Sequence, residues 1–139
     1  MIELGRAHAI STASPDAYFA RWIDHDTWPV WSPDTEWVRL DGPVEVGTRG
    51  VLKPRGGPKA KFVISACSPG REYTDTTLLP GARLVFQHTV EPAAQGSELR
   101  VQVTMYGPLA FCWSKVMGGR FRESVQADLD RLVRMVEQL

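Results

Sequence analysis

Apolar and polar residues alternate from the start of the chain. Ile2, Leu4, Arg6, His8 and Ile10 fall on one face of an extended segment, and Glu3, Gly5, Ala7, Ala9 and Ser11 on the other. A period of two predicts a half-buried strand, with His8 on the same face as Ile2, Leu4 and Ile10. The period breaks at Ser14-Pro15. Serine there caps a helix and proline takes its first position, where the missing N–H is no loss. Tyr18, Phe19, Trp22 and Ile23 form the apolar side of that helix. Asp24 opens a second short helical turn that ends near Trp31, because Ser32-Pro33 disfavours helix.

Strand and turn signals then alternate. Glu36 to Leu40, Thr48 to Lys53, Lys59 to Cys67, Glu72 to Leu78, Arg83 to Glu91 and Glu98 to Tyr106 read as strands. Phe62, Ile64 and Ala66 alternate within the third of these, and Leu84, Phe86, His88 and Val90 share a face of the fifth. Asp41-Gly42-Pro43, Pro54 to Pro58, Ser68-Pro69-Gly70, Leu79-Pro80-Gly81 and Pro92 to Ser97 are the turns between them. Short strands joined in this way predict an antiparallel meander.

The last segment changes period again. Met117, Phe121, Val125, Leu129, Leu132, Val136 and Leu139 recur at intervals of three and four, one apolar stripe on a long helix. Pro108 stands where that helix could begin. Gly118-Gly119 interrupts it, each glycine costing about 1 kcal/mol relative to alanine in a helix interior; a bend or a close approach to a neighbour is expected there.

These elements predict an α+β domain over residues 1–139: a curved antiparallel sheet of about seven strands wrapped around a long C-terminal helix, with two short helices after the first strand. A sheet curved around one helix leaves a volume that is hard to fill. A cavity between the two is the consequence, with the short helices closing one end.

Composition narrows the function. Sixteen Lys and Arg balance sixteen Asp and Glu, so the chain lacks the basic excess of a nucleic-acid surface; no nucleic-acid partner is expected. No secretory pattern opens the chain, and no apolar run reaches the length of about 20 residues that spans a bilayer. A cytoplasmic protein without integral membrane association is expected. Cys67 and Cys112 are far apart and in no ligand spacing, which reads as two free thiols. Gly56-Gly57, flanked by Lys53, Arg55, Lys59 and Lys61, is a basic hairpin tip; a solvated hairpin explains it better than an anionic partner.

Candidate chemistry is sparse. His88 stands among apolar neighbours on its strand face, and His8 among others; Asp75 shares a face with Tyr73 and Thr77. An inward histidine beside an aspartate can act as general base and orienting partner, so His88, His8 and Asp75 are the candidates for catalysis. A histidine on an apolar strand face is more often a hydrogen-bonded wall residue. No metal-ligand spacing, nucleophile motif, phosphate loop or dinucleotide fingerprint occurs, so neither a metal nor a cofactor is expected.

The order of elements resembles the helix-grip fold of the SRPBCC or START-like superfamily, which includes the polyketide cyclase/dehydrase-like proteins and the birch pollen allergen. Ala13-Ser14-Pro15-Asp16-Ala17 and Asp26-Thr27-Trp28-Pro29-Val30-Trp31 carry the resemblance. Leu40-Asp41-Gly42-Pro43, Val46-Gly47-Thr48-Arg49-Gly50 and Pro80-Gly81-Ala82-Arg83-Leu84 support it. The resemblance implies a cavity for a small hydrophobic or aromatic molecule, lipid- or polyketide-like. Its wall would take Trp28 and Trp31 from the short helical turn, and Phe62, Tyr73, Phe86, His88 and Met105 from the sheet. Trp113, Met117 and Phe121 would come from the N-terminal half of the long helix, with His88 and His8 orienting the ligand. Two alternatives stand beside this: a cyclase or dehydratase in which an inward His, Asp75 or Tyr73 moves a proton, and a co-chaperone-like interaction module. A homodimer is left open.

Overall fold

The computed structural model describes residues 1–138. Its strands are β1 (Ile2–Ser11), β2 (Thr35–Leu40), β3 (Arg49–Pro54), β4 (Ala60–Ser68), β5 (Glu72–Leu79), β6 (Ala82–Ala93) and β7 (Gly96–Tyr106). They form one antiparallel sheet in the order β1-β7-β6-β5-β4-β3-β2. Two short helices, α1 (Pro15–Trp22) and α2 (Trp28–Trp31), follow β1, with a single 3-10 turn at His25–Thr27 between them. The long helix α3 (Ala110–Glu137) ends the described chain. This is the α+β architecture the periodicity predicts, in the helix-grip order the resemblance implies.

Local chemistry explains the helix ends. The Ser14 hydroxyl accepts from the Ala17 N–H and Pro15 occupies the first turn, so α1 starts where the sequence signal lies. Two aromatic side chains of α1, Tyr18 and Trp22, have no exposed surface. Along α3, Val125, Leu129, Leu132 and Val136 are buried against the sheet, while Met117 and Phe121 are partly buried. Leu139, the last member of the stripe, lies outside the described residues. The helix runs through Gly118-Gly119 without a break. A side chain at Gly118 would meet only Leu4 at an ordinary 3.6 Å, and one at Gly119 would meet nothing.

The close approach expected at the helix glycines is made instead by a glycine of the sheet. A Cβ on Gly5 would stand 2.7 Å from the Phe121 carbonyl oxygen of α3. Backbone cannot yield as a flexible side chain does, so Gly5→Ala is expected to push α3 away from β1. The expected loss is about 1–3 kcal/mol, read as a lower urea midpoint.

Bulges correct two strand readings. The register of β1 against β7 shifts between Glu3 and Gly5. One extra residue reverses every later side chain, so Ala7 and Ser11 are buried while His8 and Ile10 face out. A second shift, between Ile64 and Ala66 of β4, packs Cys67 rather than Ala66 against the core. The reason is pairing: Cys67 lies opposite the fully buried Tyr73.

The outer strand β1 is covered by its neighbour α3. Gln126 accepts from the His8 N–H at 3.0 Å and donates to the His8 carbonyl at 3.1 Å. One side chain thus satisfies the backbone of an edge strand that would otherwise template further pairing. Glu137 fastens the helix end, accepting from the Ser11 hydroxyl at 2.9 Å and the Thr12 N–H at 3.1 Å. The basic hairpin tip spends its cations locally: Lys53 pairs with Glu36 at 3.2 Å, and Lys59 sits 5.6 Å above the Trp37 ring. No helix among the described residues is long and apolar enough to cross a membrane.

Candidate functional site

Between the concave face of the sheet, the short helices and α3 lie two adjoining cavities. The smaller, of about 60 Å³, is bounded by Trp22 and Trp31, by Val101 and Val103 of β7, and by Val125, Asp128, Leu129 and Leu132 of α3. The larger, of about 90 Å³, is bounded by Trp28, Thr35, Leu52, Phe62, Asp75 and Thr77. Trp31, Phe86 and His88 border both and form the partition. A water fills about 10–15 Å³ on this measure, and an apolar cavity of about 150 Å³ holds benzene. Each cavity alone is below that size. A single-ring molecule fits once the partition side chains shift; a multi-ring molecule needs the walls to open further.

The expected wall residues divide into three groups. Trp28, Trp31, Phe62, Phe86 and His88 border the space directly, and so does Asp75. Tyr73 and Met105 have no exposed surface and line neither cavity. From α3, Phe121 meets Phe86 edge-on with ring centroids 5.6 Å apart, and Met117 packs against the core further along the helix. Trp113 is turned toward the β5–β6 hairpin, where its Nε1 donates to the Pro80 carbonyl at 2.8 Å. His8 is not inward. Its Nε2 stands 2.7 Å from a Glu98 carboxylate oxygen on the outer face, with nearly half of the side chain exposed, because the β1 bulge reverses its strand.

Several bordering residues go beyond the sequence reading. Trp22 belongs to the apolar side of α1, and burial of that side was the available signal. Asp128 is a polar interruption one residue before Leu129 of the stripe. Its carboxylate accepts from the Ser32 hydroxyl at 2.9 Å and from Arg131 at 2.9 Å, tying the end of α2 to α3. His25 is the third. It is buried, 4.9 Å from the Trp28 ring, and its Nε2 lies 2.7 Å from the Tyr73 hydroxyl. Its signal was adjacency to the tryptophan turn.

Burial sets the protonation of the polar groups. The His88 Nδ1 lies 3.0 Å from the Tyr73 carbonyl. A carbonyl only accepts, so Nδ1 carries the proton and Nε2 is the free acceptor. Loss of solvent pulls the His88 pKa down to about 4, with hydrogen bonds to the backbone opposing it. The ring is therefore neutral at pH 7. Loss of solvent pushes Asp75 up to about 7, opposed by its hydrogen bond with Tyr73. On the inner face, Tyr73 pairs with His88 and Asp75 with Phe86 across neighbouring strands. Asp75 and His88 are diagonal neighbours. The cavity thus offers a carboxyl that can donate and an imidazole that accepts, both neutral in part or whole near pH 7. Such a pair can hold a hydroxyl or carbonyl group, or exchange a proton with it.

A family model described as polyketide cyclase / dehydrase and lipid transport matches residues 1–137. No curated protein matches the chain in sequence. Solved structures resemble it over nearly its whole length. Protein MLL2253 from Mesorhizobium loti superposes with a TM-score of 0.72 at 14% identity, covering 96% of each chain. The protein Ara h 8.0201 gives 0.70 at 19% identity, covering 96% of this chain and 97% of its own. The di-domain ARO/CYC StfQ of the steffimycin biosynthetic pathway gives 0.79 at 12% identity, covering 99% of this chain and 52% of StfQ. At such identities these likenesses concern the fold.

Proposed function

This chain belongs to the polyketide cyclase/dehydrase and lipid transport family, and from that premise we propose that it binds a compact, mostly apolar molecule in the divided chamber. The molecule we infer carries one ring and one hydrogen-bonding group. The observation that carries this reading is the chamber itself: an aromatic wall, small volume, and two convergent polar groups, Asp75 and His88. Apolar surface supplies the affinity and the polar pair supplies orientation.

The test compares phenol with toluene, which differ by one hydroxyl. Both are expected to raise the unfolding temperature, since a ligand that binds only the folded state stabilises it by about 2.7 kcal/mol at one hundred times its Kd. Phenol should bind more tightly, by the roughly 0.5–1.5 kcal/mol that a buried hydrogen bond contributes, about two- to thirteenfold. His88→Phe should erase that preference and leave toluene binding in place. Failure of both ligands to shift the melt at millimolar concentration sinks the reading.

A second reading rests on the same polar pair. A carboxyl poised near neutrality beside a neutral imidazole is suited to proton transfer on a bound carbonyl compound, as a cyclase or dehydratase requires. Turnover of a poly-β-carbonyl substrate that Asp75→Asn abolishes, with the thermal shift by toluene retained, would favour it over simple binding.

A further inference from the structure

Trp22 is the last residue of α1 and Trp31 the last of α2, so each short helix ends on an indole. Trp22 is 0% exposed and Trp31 6%. Among the described residues, their Nε1 atoms are the buried side-chain polar atoms without a hydrogen-bond partner. Two other indoles of the chain are satisfied: the Trp28 Nε1 donates to the Trp22 carbonyl at 3.0 Å, and the Trp113 Nε1 to the Pro80 carbonyl at 2.8 Å. An indole N–H can only donate, and a buried donor without an acceptor is costly to the fold.

The two orphaned donors share one space. Both rings border the smaller cavity, together with His88, Asp128 and apolar side chains of β7 and α3. A protein interior is otherwise close-packed, so an acceptor reaches these donors from that cavity. Asp128 is engaged elsewhere, its carboxylate accepting from the Ser32 hydroxyl at 2.9 Å and from Arg131 at 2.9 Å. At about 60 Å³, the cavity is several times the size of the about 10–15 Å³ that one water fills, which leaves room for an organic group.

Charge narrows that group. Among the described residues no Lys or Arg borders the cavity, whereas the Asp128 carboxylate does, and the His88 ring beside it is neutral at pH 7. An anion buried there would lack a counter-charge, which costs far more than burying a neutral group. A carbonyl oxygen is uncharged, has two lone pairs and brings no donor of its own, so it matches a pair of N–H groups. We propose, on the ligand reading of this chamber, that the ligand also carries an uncharged carbonyl group, seated in the smaller cavity and held by the indole N–H groups of Trp22 and Trp31. The ring of the ligand then occupies the larger cavity, bordered by Trp28 and Phe62, and the carbonyl crosses the partition beside Trp31.

The test follows the indole N–H signals of the full chain by nuclear magnetic resonance as acetophenone or α-methylstyrene is added. These two compounds share a shape and differ by C=O against C=CH2. Acetophenone should move the Trp22 and Trp31 N–H protons downfield beyond any shift that α-methylstyrene gives. The Trp113 signal, whose acceptor is the Pro80 carbonyl, should stay in place. Trp22→Phe and Trp31→Phe each keep a ring and remove one donor, and each should raise the acetophenone Kd about two- to thirteenfold relative to that of α-methylstyrene. Suppose instead that acetophenone stabilises the chain while the Trp22 and Trp31 signals respond alike to both compounds. Its carbonyl then lies elsewhere in the chamber, which overturns the proposal and leaves the ligand reading intact. No thermal shift from either compound fails the ligand reading, and the carbonyl seat with it. The signals are read in the unaltered chain, so the proposal stays open to refutation even if a variant fails to fold.

Discussion

Trp22→Ala is expected to lower the unfolding free energy by about 3–5 kcal/mol, the cost of deleting a buried indole and leaving a void. Trp22 has no exposed surface, borders the smaller cavity and lies 5.4 Å from the His88 ring. The void would therefore join existing empty space, and the neighbours that could collapse into it are already held. The Trp28 Nε1, which donates to the Trp22 carbonyl at 3.0 Å, keeps that backbone partner in the variant, so the loss is one of packing. For a chain of this size the midpoint should fall by roughly 10–15 °C. Added indole should recover part of the loss by filling the space. Trp22→Phe should cost much less than area alone implies. The Trp22 Nε1 is buried without a hydrogen-bond partner, and leaving such a donor unmade costs about 1–3 kcal/mol that phenylalanine does not incur. A loss below about 1 kcal/mol for Trp22→Ala would mean that α1 is no part of the chamber wall.

Asp75 and His88 should give stability opposite slopes with pH. Asp75 has its folded pKa raised to about 7 from an ordinary 3.8. The folded state binds that proton more tightly, so its contribution is fully present below the ordinary value and is lost as pH rises through about 7. His88 has its folded pKa lowered to about 4 from 6.5. The unfolded state binds that proton more tightly, so its contribution is fully present above 6.5 and is lost as pH falls toward 4. Between about pH 4 and 6.5 the two effects oppose each other, each by at most about 1.4 kcal/mol per pH unit. The unaltered chain should be nearly flat there as far as these two groups govern it. Asp75→Asn should expose the histidine slope, with stability rising with pH, and should raise stability at pH 8 by on the order of 2–4 kcal/mol. His88→Phe should expose the carboxylate slope, with stability falling as pH rises. Urea unfolding at half-unit steps reads all three. Identical slopes in the three proteins would mean that these groups are solvated in the folded state.

The elements were largely legible because each has its own local cause. A serine cap and a proline set the start of α1, glycine and proline punctuate the meander, and a stripe of period near 3.6 marks α3. Wall residues were legible where alternation stayed in phase: Phe62, Phe86, His88 and Asp75 lie on strand segments without an intervening slip and border the chamber. His8 was misread because the slip between Glu3 and Gly5 lies upstream of it. A bulge of one residue leaves no signature in polarity, yet it reverses everything beyond it. His25 was overlooked because a three-residue turn has no periodicity to assign a direction.

By itself the sequence determined the α+β class, the order of the elements and the aromatic, mostly apolar character of the inner wall. Each of these follows from residues close in the chain, through capping, turn chemistry and periodicity. Tertiary structure alone decided the capacity of the chamber and the state of its polar groups. Trp31 from α2 and Phe86 and His88 from β6 meet to divide the space, and packing between distant segments sets the volume left over. Likewise, the proton affinities of Asp75 and His88 come from solvent removed by α1, α2 and the sheet together, a property of neighbours that adjacency in sequence does not contain.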